Sequence, residues 1–153
     1  MSVDIRLARP DDRNDLIELQ RRASLMWEDT RQRLMDEPEL IDLDPEMIAR
    51  NEVFVAEEDG EVLGFATIVA HEGNDAELDG IFVEPAAWRR GIGTLLLRQI
   101  EREAHAWQAS RLHVIANRQV AGFYTANGFT VVGETKTELG PVALLMVKPV
   151  PMP

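Results

Sequence analysis

Two arginines and two glycines stand close together in the middle of the chain, in the order Arg89-Arg90-Gly91-Ile92-Gly93-Thr94. An apolar run that stops at Val83 and Pro85 precedes them, and a leucine-rich segment follows. The pattern predicts a strand that ends at the proline and a helix that begins at the glycines. The free N–H groups and the dipole of a helix N-terminus favour an anion, and glycine lets backbone approach it closely. The segment 89–94 is therefore predicted to hold a pyrophosphate, with Arg89 and Arg90 adding positive charge.

The same glycines complete neither of two common nucleotide-binding motifs. A P-loop needs Gly-Lys-Ser/Thr, and no such sequence follows Gly91. The dinucleotide fingerprint Gly-x-Gly-x-x-Gly would need a third glycine where Leu96 stands. The local pattern thus favours a phosphate ligand of another kind, and it is also compatible with a tight turn that binds nothing.

Two carboxylates and the single tyrosine carry the other chemistry that could act beside this turn. Glu77 and Asp79 are separated by two positions on one predicted strand, so both side chains point to the same face of a sheet. A carboxylate there could accept a proton through water or attract a cation, and it could equally be part of a solvent-exposed strand face. Tyr124 follows Phe123, so its phenol could serve as an acid, or the pair could simply pack in the core.

Histidine and cysteine content limits the remaining options. The chain has no cysteine, which excludes disulfides, thiolate catalysis and a thiolate metal site. The three histidines are far apart in the sequence and show no metal-ligand spacing, so no metal is expected. His71, near a predicted strand end, is an alternative base because free imidazole titrates near neutrality. His105 and His113 are expected to be structural.

The elements that must position these residues follow from the hydrophobic pattern. Strands are predicted over 3–9, 53–56, 62–70, 76–83, 112–116, 129–132 and 142–147. Helices are predicted from Asp11 or Asp12 onward, in short pieces between 30 and 49, over 93–108 and over 119–126. Asp59-Gly60 predicts a tight hairpin turn. This order indicates a mixed α/β fold with a strand–helix–strand unit in the middle, in a single domain over residues 1–153.

Composition and charge exclude several classes of partner. The formal net charge is −11, which argues against nucleic acid because phosphate binding needs a positive field. The acidity could serve solubility or attract a cationic acceptor. No apolar run approaches the roughly 20 residues of a membrane helix, and the segment Met1 to Arg9 carries charge, unlike a signal-peptide core. We therefore expect a soluble, cytoplasmic protein with no nucleic-acid or membrane partner.

Together, these motifs resemble those of the GNAT superfamily of N-acetyltransferases. The resemblance rests on Val83-x-Pro85, on Arg89-Arg90-Gly91-Ile92-Gly93 with its leucine-rich helix, and on Asn117-x-x-x-Ala121-x-Phe123-Tyr124-x-x-x-Gly128-Phe129. The opening Ile5-Arg6-x-Ala8-x-Pro10-x-Asp12 and the hairpin strand with Gly64 also fit, so the resemblance covers nearly the whole chain. Trp88 departs from the pattern, since the family commonly has Arg or Gln three residues before the first glycine. This departure leaves the backbone N–H groups as the main phosphate ligands.

The resemblance implies a fold and a set of site residues. The fold would be a GNAT acyl-CoA N-acyltransferase fold: a mostly antiparallel mixed sheet of six to seven strands, splayed between strands 4 and 5, with about four helices. Acetyl-CoA would lie in the splay as a co-substrate. Tyr124 falls where the family's phenol protonates or hydrogen-bonds the departing thiolate, and Glu77 falls where some histone-acetylating relatives carry a general base, with Asp79 as the second candidate. The implied acetyl-CoA contacts are Ile81, Phe82, Val83, Arg89, Arg90, Gly91, Ile92, Gly93, Thr94, Asn117 and Tyr124.

The implied reaction is direct attack of a primary amine, on a small molecule or a peptide, on the thioester of acetyl-CoA in a ternary complex. The alternative is a regulatory module that binds acyl-CoA without turnover, and the presence of Tyr124 beside the acidic strand favours the enzyme. Acceptor choice would depend on residues 30–51 and 135–141, whose residue types do not indicate which amine is bound. Trp27, Met26 and Met35 could line the acceptor pocket or pack in the core. The only ground for expecting a homodimer is that members of the superfamily commonly form one.

Overall fold

A computed structural model of the chain describes residues 2–137 and 140–151. Two of the positions in the segment 135–141 that was expected to influence acceptor choice, 138 and 139, lie outside the described residues. The strands are β1 (Asp4–Leu7), β2 (Val53–Glu58), β3 (Glu61–Ala70), β4 (Ala76–Val83), β5 (Arg111–Ala116), β6 (Thr130–Thr137) and β7 (Gly140–Pro149). The helices are α1 (Arg13–Leu25), α2 (Glu28–Asp36), α3 (Pro45–Ala49), α4 (Ile92–Ala106) and α5 (Ala121–Ala126).

The seven strands form one sheet in the order β1-β2-β3-β4-β5-β7-β6. Neighbouring strands run antiparallel except β4 and β5, which are parallel and joined through α4. The mixed, mostly antiparallel sheet that the sequence predicts is therefore confirmed. The helical stretch between α1 and β2 is divided into short pieces, because Pro38 and Pro45 each begin a new turn or helix.

Two hydrophobic clusters cover opposite faces of the sheet. The apolar stripe of α4, including Leu96, Leu97 and Ile100, packs with alternate strand residues such as Ala56 on one face. Residues of α1 and α3 pack with the intervening residues, such as Val55, on the other. The sheet is thus the middle layer between α4 on one side and α1 and α3 on the other.

Two glycines occupy positions where a larger residue would be strained or crowded. In the β2–β3 hairpin, Asp59 and Gly60 have φ values of 53° and 80°, as a two-residue hairpin turn requires. On β3, a Cβ at Gly64 would lie 2.9 Å from the carbonyl oxygen of Phe82 and 3.2 Å from Leu96 Cδ1. The missing side chain therefore lets α4 pack closely against the sheet where β3 meets β4.

The sheet opens between its fourth and fifth strands, as expected. The parallel pairing of β4 with β5 covers only Ala76–Leu78 against Leu112–Val114, while β4 continues to Val83. On the other side of β4, Thr67 of β3 lies opposite Gly80 but Ile68 lies opposite Leu78, so Asp79 is an extra residue in a β-bulge. The carboxyl-terminal halves of β4 and β5 are consequently free to diverge, and the backbone groups between them are available to a ligand.

A buried ion pair connects α4 to the last strand. Lys148 Nζ on β7 lies 2.5 Å from Glu101 Oε2, and only 9% and 5% of these residues is exposed. Lys148 also donates to the backbone carbonyl of Asn127, just after α5, at 2.8 Å. The apolar stripe of α4 by itself predicts Glu101 on the polar, exposed face of the helix. That prediction is wrong, because Lys148 approaches Glu101 from the sheet and the pair is buried.

None of the helices in the described ranges is long and apolar enough to cross a membrane.

Candidate active site

The splay between β4 and β5 opens into a cleft of about 720 Å³. Its walls are the ends of these two strands, the turn into α4, and residues of α1, α2 and α5. Eleven of the residues proposed from the sequence line this one cleft: Asp79, Ile81, Phe82, Val83, Arg89, Gly91, Ile92, Gly93, Thr94, Asn117 and Tyr124. The other two, Glu77 and Arg90, are held by contacts described below. Residues from four separate parts of the sequence therefore meet where the sheet separates.

The turn from Arg89 into α4 has the geometry of an anion cradle. Arg89 and Gly91 both have left-handed backbone conformations, with φ values of 70° and 79°. An L side chain is strained at the second position, which explains the glycine there, and Arg89 tolerates the conformation at some cost. α4 begins at Ile92, so its first N–H groups lack intrahelical acceptors and lie at the positive end of the helix dipole. Such a turn binds phosphate through backbone donors.

The two arginines before the cradle differ in their surroundings. Arg90 Nη2 lies 2.7 Å from Glu58 Oε2 on the β2 side, in an ion pair that offsets its charge. Arg89 lines the cleft directly. The positive charge available beside the cradle therefore comes mainly from Arg89, where the sequence suggested both.

Trp88 contacts the end of β4 and contributes no charged group to the cradle. Its indole Nε1 donates a hydrogen bond to the carbonyl of Val83 at 2.8 Å. Its ring stacks on Trp27, with centroids 5.5 Å apart and planes 19° from parallel. Trp27 lies between α1 and α2, so the stack connects the helical side of the cleft to the turn before α4. The departure at Trp88 thus has a structural role that the sequence did not indicate.

Tyr124 on α5 is both a core residue and a cleft residue. Its ring meets Phe123 and Phe129 edge to face, at centroid distances of 5.2 and 5.4 Å. Only 6% of the residue is exposed, and this burial raises the pKa of its phenol above the ordinary value. Within the described ranges the hydroxyl has no protein hydrogen-bond partner, although the residue lines the cleft. The two interpretations left open by the sequence are therefore compatible, since the ring packs and the hydroxyl stays available.

The position of α5 is fixed by hydrogen bonds at its C-terminus. Asn127 Nδ2 donates to the carbonyl of Phe123 at 2.8 Å, and Arg98 of α4 donates to Asn127 Oδ1 at 2.8 Å. Lys148 reaches the same residue from β7. α4, α5 and β7 thus hold the segment that carries Tyr124 as one unit.

Asn117 follows β5 at the rim of the cleft. Its Oδ1 accepts a hydrogen bond from the backbone N–H of Gln119 at 2.8 Å, which shapes the turn before α5. Its amide NH₂ group has no partner among the residues that the structure describes. That donor could serve a ligand in the cleft.

The two carboxylates on β4 occupy different environments. Asp79, at the bulge, lines the cleft and accepts a hydrogen bond from Thr67 Oγ1 at 3.3 Å. Glu77 lies two residues earlier, with 24% of its side chain exposed. Burial, and secondarily the negative charge of Asp79, raises the pKa of Glu77 above the ordinary carboxyl value. The raised pKa makes Glu77 a better proton acceptor than an ordinary carboxylate, whereas Asp79 is the carboxylate at the cleft wall.

A histidine cluster that the sequence did not predict lies beside Glu77. The rings of His71 and His113 are stacked, with centroids 3.9 Å apart and planes 6° from parallel. His113 Nε2 is 2.7 Å from Asp75 Oδ2, and His71 Nε2 is 3.9 Å from Glu77 Oε1. His113 is directly opposite Glu77 in the parallel β4–β5 ladder. That pairing could have revealed the cluster. Finding it in the sequence, however, requires knowing which strands are neighbours in the sheet.

The donor atoms of His71, Asp75 and His113 all lie within 4.8 Å of one another, close enough to suggest a metal site. The ring planes argue for another role. The lone pair of an imidazole nitrogen lies in the plane of its ring, so two parallel stacked rings do not direct their lone pairs at one ion. Asp75 Oδ2 is also 3.3 Å from Arg111 Nε, so the carboxylate already pairs with a cation. The absence of a metal remains a prediction.

Comparison with known proteins agrees with this fold. The model of the Acetyltransferase (GNAT) family matches residues 14–129. The chain therefore belongs to this family.

Individual relatives match a shorter part of the chain than the family model does. Over 87 residues the chain is 40% identical to the peptidyl-lysine N-acetyltransferase YiaC of Escherichia coli, covering 56% of this chain and 54% of that protein. An uncharacterized N-acetyltransferase of Mycobacterium tuberculosis, Rv2669, is 26% identical over 94 residues, 60% of each chain. The matched part thus spans little more than half the length of these relatives.

Two solved structures share the fold across almost the whole chain. The PaiA N-acetyltransferase of Thermoplasma acidophilum, in complex with coenzyme A, has a TM-score of 0.75 at 23% identity and covers 97% of this chain and 99% of its own. YncA of Salmonella typhimurium, with acetyl-CoA, has a TM-score of 0.72 at 22% identity and covers 100% of this chain and 96% of its own.

Proposed function

We propose that this protein is an N-acetyltransferase that moves the acetyl group of acetyl-CoA to a primary amine. The observation that carries the proposal is that one cleft is lined by an anion cradle at a helix N-terminus, a phenol and a carboxylate. Acyl transfer from a coenzyme A thioester to an amine needs a group of each kind. Membership of the family supports the same activity.

The coenzyme would bind along the splay with its pyrophosphate at the cradle. The N–H groups at Ile92, Gly93 and Thr94 and the charge of Arg89 suit two phosphates. The backbone groups of Ile81–Val83 would meet the pantetheine arm and the thioester. The carbonyl of Val83 already accepts from Trp88, so its N–H is the group left for the coenzyme at that residue. The NH₂ group of Asn117 would donate from the opposite strand.

The reaction would be a direct attack of the amine nitrogen on the thioester carbon. The amine reaches the cleft as an ammonium ion and must lose one proton before it can attack. Glu77 would take that proton through a water molecule, since its raised pKa makes it a better acceptor than an ordinary carboxylate. Asp79, at the cleft wall, would attract and orient the ammonium group.

Tyr124 would supply the proton that the departing thiolate needs. Burial raises the pKa of its phenol, which keeps the hydroxyl protonated over the physiological range. The same apolar surroundings disfavour a bare thiolate, so the hydrogen bond from the phenol gains strength as the carbon–sulfur bond breaks. Stabilisation thus appears in the transition state, where it accelerates the reaction.

The acceptor would be a cationic small-molecule or peptide amine. Its side of the cleft includes Trp27, Ser24 and Thr30 with Asp79, a mainly apolar surface with one carboxylate. Such a surface fits an alkyl amine, whose methylene groups pack while the ammonium group pairs with the carboxylate. A lysine side chain has this chemistry, and a relative is named for peptidyl-lysine acetylation.

A panel of amines tests the proposal. Free lysine, lysine-containing peptides, peptides with free N-termini and alkyl diamines would each be mixed with acetyl-CoA, with thiol release and the mass of the product followed together. The proposal expects at least one amine to give thiol and acetylated product in equal amounts. Tight binding of acetyl-CoA without turnover on any amine would instead favour the acyl-CoA-binding regulatory module.

A further inference from the structure

We propose that His71, stacked on the His113–Asp75 pair, is a proton relay that removes from Glu77 the proton taken from the acceptor amine. The inference rests on the proposed function, because it concerns the fate of that proton. Every catalytic cycle would leave Glu77 protonated. Glu77 must then release this proton before the next amine can be deprotonated.

Two titratable side chains lie close to Glu77. Its carboxylate is partly buried, and Asp79, which lines the cleft, adds a second negative charge nearby. Returning the proton toward the cleft would place it beside the substrate amine, where it would reverse the step. His71 is not among the residues that line the cleft, and its Nε2 lies 3.9 Å from Glu77 Oε1. That distance is too long for a direct hydrogen bond and fits one bridging water.

His71 combines a protected side with an accessible one. Its Nδ1 is buried and has no hydrogen-bond partner among the described residues, which is unusual for a ring nitrogen because an orphaned polar atom costs stability. The side chain as a whole is 32% exposed. The ring can therefore exchange a proton with water at Nε2, while Nδ1 contributes no competing contact.

The ring of His71 is held by its neighbour. His113 stacks against it at 3.9 Å, and His113 is fixed by a 2.7 Å hydrogen bond to Asp75. Asp75 is only 10% exposed at its side chain and is also paired with Arg111. The hydrogen bond from His113 and the charge of Arg111 hold the pKa of Asp75 below its ordinary value, so it stays ionised. His113 and Asp75 are thus positioning residues, and they act through the orientation of His71.

Three neighbouring elements contribute charged or titratable groups near His71. β4 contributes Glu77 and Asp79, the turn before it contributes Asp75, and β5 contributes His113 and Arg111. On β7 the residue opposite His113 is the apolar Val147. One proton moves at each step: from the amine nitrogen to the carboxylate of Glu77, from there through water to His71 Nε2, and from Nε2 to the solvent.

Kinetics of His71→Ala test the relay, with His105→Ala of α4 as the matched control. The relay expects kcat for acetyl transfer to fall about 10-fold in His71→Ala, less than for loss of a primary base, with unchanged affinity for acetyl-CoA. Added imidazole should restore kcat in a concentration-dependent way. The acid limb of the pH profile should move to higher pH, because a cationic neighbour that favours ionised Glu77 has been removed. Wild-type kcat in His71→Ala, or a reduced kcat that imidazole does not restore, would overturn the relay.

A second measurement separates this inference from the proposed function. The carboxyl signal of Glu77 would be followed by NMR during a pH titration of the wild-type protein and of His71→Ala. The relay expects the midpoint of the Glu77 titration to move to higher pH in His71→Ala, because a neighbour that lowers the pKa of Glu77 is gone. An unchanged midpoint would refute the relay even in a protein that acetylates amines. A shifted midpoint in a protein that acetylates no tested amine would retain the coupling and reject the function.

Discussion

The indole rings of Trp27 and Trp88 stack in the wall of the cleft, 5.5 Å apart, and join the α1–α2 turn to the segment that precedes the anion cradle. Removing one ring should loosen the acceptor side while leaving the cradle intact. For Trp27→Ala we expect the KM for the amine to rise, little change in acetyl-CoA affinity, and a stability loss of about 1–3 kcal/mol. Steady-state kinetics and chemical denaturation measure the three effects.

Trp107→Phe is the matched control for this change. Trp107 follows α4 away from the cleft, is 37% exposed, and its Nε1 donates to Glu103 at 3.1 Å. It should behave as the wild type in all three measurements. An amine KM in Trp27→Ala equal to that of this control would show that the stack does not shape the acceptor side.

Tyr124→Phe removes one oxygen atom from the cleft and keeps the aromatic packing. Because the hydroxyl has no partner in the described parts of the chain, thermal unfolding should hardly change. The kcat for thiol release should fall about 10²- to 10³-fold, since the departing thiolate loses its proton donor. Calorimetry should show wild-type affinity for acetyl-CoA. A variant with wild-type kcat would assign the acid to another group or to water.

Glu77→Gln should abolish the acid limb of the pH profile. A carboxylate accepts a proton only when ionised, so kcat/KM of the wild type should rise as pH increases through the raised pKa of Glu77. Glutamine cannot accept a proton, and about a 10²-fold loss of kcat/KM is expected. Asp79→Asn is the comparison: it should raise the amine KM and keep the limb. The reverse pattern would make Asp79 the base.

The buried pair of Lys148 and Glu101 should be important for folding. Glu101→Ala leaves the ammonium of Lys148 with a backbone carbonyl but no counter-charge, which should cost about 3–5 kcal/mol in the free energy of unfolding. The exposed pair of Arg118 and Glu134, at 2.7 Å, is the control, and Glu134→Ala should cost less than about 1 kcal/mol. Urea unfolding measures both. Equal costs would show that burial does not strengthen the Lys148 pair.

Much of the fold could be predicted because its signals are local. Asp59-Gly60 specifies a hairpin turn, and the apolar period of α4 specifies a helix that packs on a sheet. The cradle was readable for the same reason, since Gly91 and the helix start are adjacent in sequence. Tyr124 was predicted to belong to the same site only through the resemblance of the motif around it to that of the GNAT superfamily.

The features that the sequence did not indicate depend on contacts between distant segments. The β-bulge at Asp79 appears only when β3 is aligned with β4. The histidine stack needs the end of β3 to lie beside β5, and the Trp27–Trp88 stack needs the α1–α2 turn to fold over the cleft. Glu101 looked like a surface residue because its periodicity carries no information about Lys148. Tertiary packing determines each of these, and residue spacing does not encode it.

A single-turnover experiment tests whether acetyl passes directly from acetyl-CoA to an amine. Enzyme in excess over acetyl-CoA would be mixed with an amine identified in the panel, and thiol, acetylated amine and protein mass would be followed together. For direct transfer, thiol and acetylated amine should appear at the same rate and the protein mass should not change. Release of thiol before the amine is added, with an acetyl group left on the protein or lost as acetate, would contradict it.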